Sequence, residues 1–131
     1  MSIDIGTPSK DEAREFLAIP EVWERAQGGP VTRDYDIPDD VELVAGSAEG
    51  RMVALAIFIP CGEFSQLHFY VLRDFRMAHA IEFLRAAMTG RENVTALVPN
   101  SAREVVNFAK KRGGFREIGI TQDEKVILWA Q

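Results

Sequence analysis

Cysteine is almost missing from this chain: Cys61 stands alone. An intrachain disulfide is excluded, and a thiol-poor sequence fits a reducing compartment, so a cytoplasmic location is expected. Histidine is nearly as scarce, at His68 and His79. With a single cysteine these cannot supply a conventional structural zinc site, and no metal is expected. The sequence holds no Gly-x-x-x-x-Gly-Lys-Ser/Thr phosphate loop, no His-Glu-x-x-His, no Cys-x-x-Cys and no Gly-x-Ser-x-Gly elbow. Long apolar runs are missing too. The longest, Met52 to Pro60, is too short to span a bilayer. The opening MSIDIGTPSKDEAR does not place an apolar segment after a basic one, so no secretory leader is expected. Repeats and low-complexity stretches are likewise missing.

What remains is an ordinary globular composition, 47% hydrophobic and 27% charged, over 131 residues. That length predicts one domain, 1–131, with a proper hydrophobic core. Charge is unevenly spread. Residues 73–116 carry nine basic and four acidic side chains, a net of +5 in a chain whose overall charge is −5. Such a distribution suits a basic site for a small polyanion, with the acid-rich N-terminal part facing a cationic partner or substrate. Nucleic acid is not expected as a partner, because the chain as a whole would be repelled.

Hydrophobic periodicity supplies the order of elements. Ser9-Lys10-Asp11-Glu12 reads as a capping box ahead of Ala13, Phe16 and Leu17. Pro20 suits the first turn of a second short helix, EVWERAQ, and VTRDYDIPDD follows as an acidic loop. VELVAGSA, RMVALAIFI and EFSQLHFYVL read as three strands joined by tight turns, hence an antiparallel meander whose middle member is apolar on both faces. A helix from Phe75 or Arg76 to Met88 follows, then strand NVTALVP, then a helix opened by Ser101-Ala102-Arg103-Glu104 and closed by Gly113-Gly114. FREIGI and EKVILWAQ form a closing strand pair, and SIDIG supplies a short first strand. The fold class is α/β (α+β): a mixed sheet of six to seven strands with about four helices on its two faces. Val126, Leu128 and Trp129 in the last strand are placed to extend the sheet between two subunits of a homodimer.

The strand that runs into a helix at Arg73-Asp74-Phe75-Arg76 is the most informative junction. A helix start presents unpaired N–H groups and a positive dipole end, a ready anion site. Gln66-Leu67-His68, then Leu72-Arg73-Asp74-Phe75, then Arg76-Met77-Ala78-His79-Ala80 form one pattern. Val98-Pro99, SAREVVNFAKK and Gly114-Phe115 form a second. In this order and spacing they resemble the GNAT superfamily of N-acetyltransferases, and more narrowly its short bacteriophage and prophage members. The resemblance implies the acyl-CoA N-acyltransferase architecture, acetyl-CoA as co-substrate and an amine as acceptor. It implies that acetyl-CoA wedges between strands 63–72 and 93–99, its pantetheine arm against Phe69, Tyr70, Val71 and Leu72. The pyrophosphate would then lie on Arg73, Arg76, Met77, Ala78, His79 and Ala80, with Arg103 near the start of the later helix. Both glycine positions of the usual family loop are filled here by other residues, His79 standing at the first. A catalytically degenerate GNAT-like protein that binds a phage or host protein is therefore the second expectation.

Three side chains are candidates for proton transfer. Glu63 opens the strand and could deprotonate an ammonium. His68 could relay a proton or orient a water. Tyr70 could act as general acid.

Overall fold

The computed structural model describes residues 3–20, 22, 37, 39–72, 77–99 and 103–130. Among them the elements are β1 (Asp4–Gly6), α1 (Lys10–Leu17), β2 (Glu42–Ala48), β3 (Arg51–Cys61), β4 (Phe64–Val71), α2 (Met77–Met88), β5 (Val94–Pro99), α3 (Arg103–Arg112), β6 (Arg116–Ile120) and β7 (Lys125–Ala130). The expected helix over 21–27 lies outside the described residues except for Val22, which is buried. So does most of the acidic loop, and so does the Ser101 capping box.

The strands form one mixed sheet in the order β1-β2-β3-β4-β5-β7-β6. β3 sits inside the β2–β4 meander, and its Ala54 to Phe58 segment is buried, as a strand apolar on both faces must be. One sheet face carries α2 and α3. There Phe58, Leu67, Phe83, Val94, Val106, Phe115 and Leu128 belong to a single cluster. The other face carries α1 over the β2–β4 half, where Phe16, Leu17, Leu55, Ile57 and Tyr70 meet. β7 lies between β5 and β6 with partners on both sides. The expectation that Val126, Leu128 and Trp129 extend the sheet between subunits is therefore overturned, because both edges of that strand are occupied. The outer strand on this side is β6.

Two local devices hold the site's surroundings. Gly46 in β2 admits the Phe83 ring from α2: a Cβ there would stand 2.7 Å from its Cδ1 atom. At the start of α1, Ser9 Oγ accepts the Glu12 amide at 3.1 Å while the Ser9 amide donates to Glu12 Oε1 at 3.0 Å. This box satisfies two orphan donors of the helix. Ser9→Ala is expected to cost about 1 kcal/mol, read as a lower urea midpoint with unchanged slope. An unchanged midpoint would show that the tertiary contacts of Ala13, Phe16 and Leu17 hold the helix without its cap. No described helix is long and apolar enough to cross a membrane.

Candidate functional site

β4 and β5 are parallel neighbours joined only at one end. Their register comprises Ser65↔Val94 and Gln66↔Thr95, with the Ser65 amide donating to the Asn93 carbonyl at 3.0 Å. β4 nevertheless stays paired with β3 from Cys61↔Phe64 to Ala54↔Val71. β5 stays paired with β7 from Val94↔Ala130 to Pro99↔Lys125. Each strand is thus held by its outer neighbour while the two separate from each other. The sheet is two half-sheets hinged at Gln66 and Thr95 and open beyond them. Among the described residues, the backbone of 67–71 and 96–99 makes no sheet bond across this gap. Backbone N–H and C=O groups require partners. An edge of this kind is finished by water or by an elongated ligand that carries amides of its own.

The gap widens toward the C-terminal end of β4, which is also the end from which the chain passes to α2. The first described turn of that helix, Met77-Ala78-His79-Ala80, contains no acid to neutralise its positive end. Ala80 is buried. Arg73 and Arg76 lie outside the described residues.

His68 stands just past the hinge, on the same face as Gln66 two residues earlier. It is half-buried, and its Nε2 lies 3.0 Å from Gln66 Oε1. With the Gln66 amide oxygen turned toward the ring, Nε2 is assigned the proton and Nδ1 the lone pair. Burial, and then the positive charge of Lys125, hold the imidazole below its ordinary titration range. His68 is accordingly a neutral base at physiological pH. Thr95, on the opposite side of the hinge, is buried and donates through Oγ1 to the Leu128 carbonyl at 2.9 Å. That bond ties β5 to β7 at the point where β5 leaves β4.

The other expected site residues are dispersed around this point. Phe69 and Val71 face the α2 side, and the Phe69 ring meets Phe83 at 5.6 Å between centroids. Tyr70 and Leu72 face the α1 side and are buried there. Glu63 is exposed in the Gly62–Glu63 turn before β4. Glu63 and Tyr70 are therefore separated by about 20 Å of extended chain, with His68 between them. Arg103 is exposed at the start of α3, its Nη1 3.5 Å from Glu117 Oε1, while Lys110 Nζ lies 3.3 Å from Glu117 Oε2. The two cations, Arg103 first, hold the Glu117 carboxyl below the usual carboxylate range.

Sequence reasoning took Gln66 as a motif residue without a role, and did not select Thr95 or Lys125. The signal for Lys125 was available in KVILWA, where buried Val126, Leu128 and Ala130 alternate with Lys125, Ile127 and Trp129. Those three must share the opposite face.

No protein-family model and no curated protein matches the sequence. Solved structures do match the fold along the whole chain. The PaiA N-acetyltransferase of Thermoplasma acidophilum, in complex with coenzyme A, superposes with a TM-score of 0.74 at 15% identity, covering 100% of this chain and 99% of that one. A GNAT family acetyltransferase of Elizabethkingia anophelis with acetyl-CoA bound gives 0.75 at 13% identity, covering 99% and 98%. The ribosomal-protein-S18-alanine N-acetyltransferase of Escherichia coli gives 0.70 at 17% identity, covering 97% and 90%. This chain therefore has the fold of GNAT acetyltransferases.

Proposed function

We propose that this protein is an acetyl-CoA-dependent N-acetyltransferase acting on an amine. The separation of β4 from β5 beyond Gln66↔Thr95 carries this reading. An open slot edged by unpaired peptide groups suits the two amides of a pantetheine arm, and it ends beside a helix start suited to phosphate. Arg76 and Arg73 precede that start in sequence and would hold the pyrophosphate through charge-assisted bonds. The helix amides of Met77 to Ala80 would lie beneath it, and Arg103 would approach from α3. Two structures of this fold hold coenzyme A or acetyl-CoA, which supports the same assignment here.

Chemistry in such a slot is direct transfer. The amine nitrogen attacks the thioester carbonyl carbon, the carbon–sulfur bond breaks, and an acetamide and a free thiol result. The attacking nitrogen must shed one proton and the departing sulfur must gain one. His68 is assigned the first role, because its Nδ1 is basic and unprotonated when Nε2 donates to Gln66. Tyr70, one position farther along the same strand face, is assigned the second. Glu63, on the turn beyond the hinge, would act on the incoming ammonium through water.

The filled glycine positions at 79 and 81 favour a second reading, a scaffold of this fold that binds a phage or host protein, or a second copy of itself, without turnover. The two are separable. Calorimetry with acetyl-CoA is expected to show binding within the range of about 1 µM to 1 mM common for enzyme substrates. Arg76→Glu is expected to weaken it at least about tenfold, the worth of a charge-assisted hydrogen bond. Absence of heat up to about 1 mM would remove the enzymatic reading. Turnover with any of a panel of amines would remove the scaffold reading.

A further inference from the structure

The face of β5, β7 and β6 opposite α2 and α3 is covered by no described element, and it begins where the α1 cover over β4 ends. Its floor follows from the register. Gln66, Thr95, Trp129 and Arg116 form one row across the strands; Leu97, Ile127 and Gly119 form the next, with His68 of β4 on the far side of the gap from it. Leu97 is 40% exposed and Phe64 39% exposed. Phe64 meets Trp129 edge-on with centroids 5.9 Å apart, and together they wall the hinged end. The imidazole of His68 opens onto this apolar and aromatic surface.

Among the described strand positions, charge on the face is of one sign. Arg116 and Lys125 are its ionised strand positions, and both are exposed. Lys125 is near enough to His68 to disfavour the imidazolium. No strand position on this face from Phe64 to Arg116 is a carboxylate. Among the described residues, the carboxylates at the rim are Asp123, 3.5 Å from Lys125 Nζ, Glu124 beside it, and Glu63 in the turn before β4. An exposed pair such as Lys125–Asp123 is weak, and an ammonium has donors to spare.

Resting on the acetyl-transfer reading, we infer that the acceptor is an α-amino acid, or the equivalent end of a larger molecule, with an aromatic or branched apolar side chain. Its amino group meets His68, its carboxylate meets Lys125, and its side chain lies on Leu97, Ile127 and Trp129, with Arg116 adding positive charge farther along the face. A polyamine fits poorly, because an extended cation would cross Lys125 and Arg116. The acid-rich composition of the N-terminal part had suggested a cationic acceptor. None of the described acids of that part stands on a strand position of this floor, and the floor favours the opposite charge.

The test compares L-phenylalanine, phenethylamine and spermidine as acceptors, read as thiol released from acetyl-CoA. The first two share ring and amine and differ by the carboxylate. L-Phenylalanine is expected to exceed phenethylamine by about tenfold in kcat/KM, the worth of a hydrogen bond to a charged group. Lys125→Glu combined with Arg116→Glu is expected to abolish or reverse that preference. Calorimetry with N-acetyl-L-phenylalanine against N-acetylphenethylamine reads the same preference without turnover. Preference for phenethylamine or spermidine, an unchanged preference in the double variant, or no binding of either product would overturn the inference. Acetyl-CoA binding persisting in that case would leave the transfer reading standing. Product binding without acetyl-CoA binding would sink the transfer reading and keep the acceptor face.

Discussion

Phe83→Ala is expected to bring this protein close to unfolding. The ring has no solvent exposure and belongs to the cluster that joins α2 to the sheet. It packs on Phe69 of β4 at 5.6 Å between centroids and fills the space that Gly46 of β2 leaves open. Truncating a buried phenylalanine costs about 3–5 kcal/mol, the lost transfer energy plus the cavity. A domain with about 5–15 kcal/mol of total stability loses a large share of it. The expected thermal shift is about 10–20 °C downward for a chain of this size. Because the Gly46 approach and the Phe83 ring occupy the same space, the two positions must couple. Gly46→Ala alone is expected to destabilise, since its new Cβ would press on the ring at 2.7 Å. In a Phe83→Ala background the same change should cost much less, or gain, by entering the cavity. Additive effects in chemical denaturation would show that the ring moves aside freely and that this contact does not specify the packing.

The consequence reaches the site through Phe69. That residue lies on the separated part of β4, and its ring is braced by Phe83 rather than by a neighbour on β5. Phe83→Leu keeps much of the volume but loses the aromatic contact. Its milder loss of stability should come with weaker acetyl-CoA binding if the brace helps to hold the gap open.

The order of elements was legible because local chemistry and the global fold agree. Ser9 and Glu12 mark a helix start; Glu49-Gly50 marks a hairpin turn; Pro60-Cys61-Gly62 marks the next, which the structure places at Gly62-Glu63 because β3 runs on to Cys61; RMVALAIFI is apolar on both faces and lies inside the sheet. The parallel pairing of β4 and β5 follows from a crossover through one helix, and the structure pairs them so. The extent of pairing was not legible from these residues. Nothing in HFYV or ALV forbids sheet bonds, only Pro99 lacking an amide to donate, and the gap exists because β3 and β7 each hold their partner on a diverging course. That is a property of the assembled sheet, and the resemblance, not the periodicity, suggested it. The position of β7 was misread for a related reason. A hairpin can join a sheet through either of its strands. The choice is written in burial: Val126 and Leu128 have no solvent exposure, whereas Ile118 and Ile120 of β6 are each 56% exposed. Glu117 reinforces that choice by drawing β6 toward α3 through Arg103 and Lys110. The approach of Lys125 to His68 was illegible for the same reason, since it spans the gap between half-sheets.

His68→Ala is expected to lower kcat by about 100- to 10,000-fold, the range for loss of a positioned proton acceptor, with acetyl-CoA affinity unchanged. Gln66→Leu is the companion change. It removes the oxygen that receives the Nε2 proton at 3.0 Å, releases the tautomer and should lower kcat by a smaller factor. The pH dependence gives the sharper test. Burial and Lys125 depress the imidazole below its ordinary value of 6.5, so the base is already neutral there. Activity should fall with acid only below that value, as the imidazole takes up its proton. Lys125→Gln, by removing a positive neighbour, should move that limb toward higher pH. Stability carries the same signature with its sign fixed by linkage. The unfolded chain binds a proton at His68 before the folded one does, so stability is lost as pH falls through about 6.5 and the loss levels off below the depressed folded value. His68→Gln should remove that component from urea midpoints measured between neutral and mildly acid pH. Should the variant keep near-full turnover, or the acid limb stay in place when Lys125 is neutralised, His68 would be a buried histidine satisfied by Gln66 and the transferred proton would have to leave by another route.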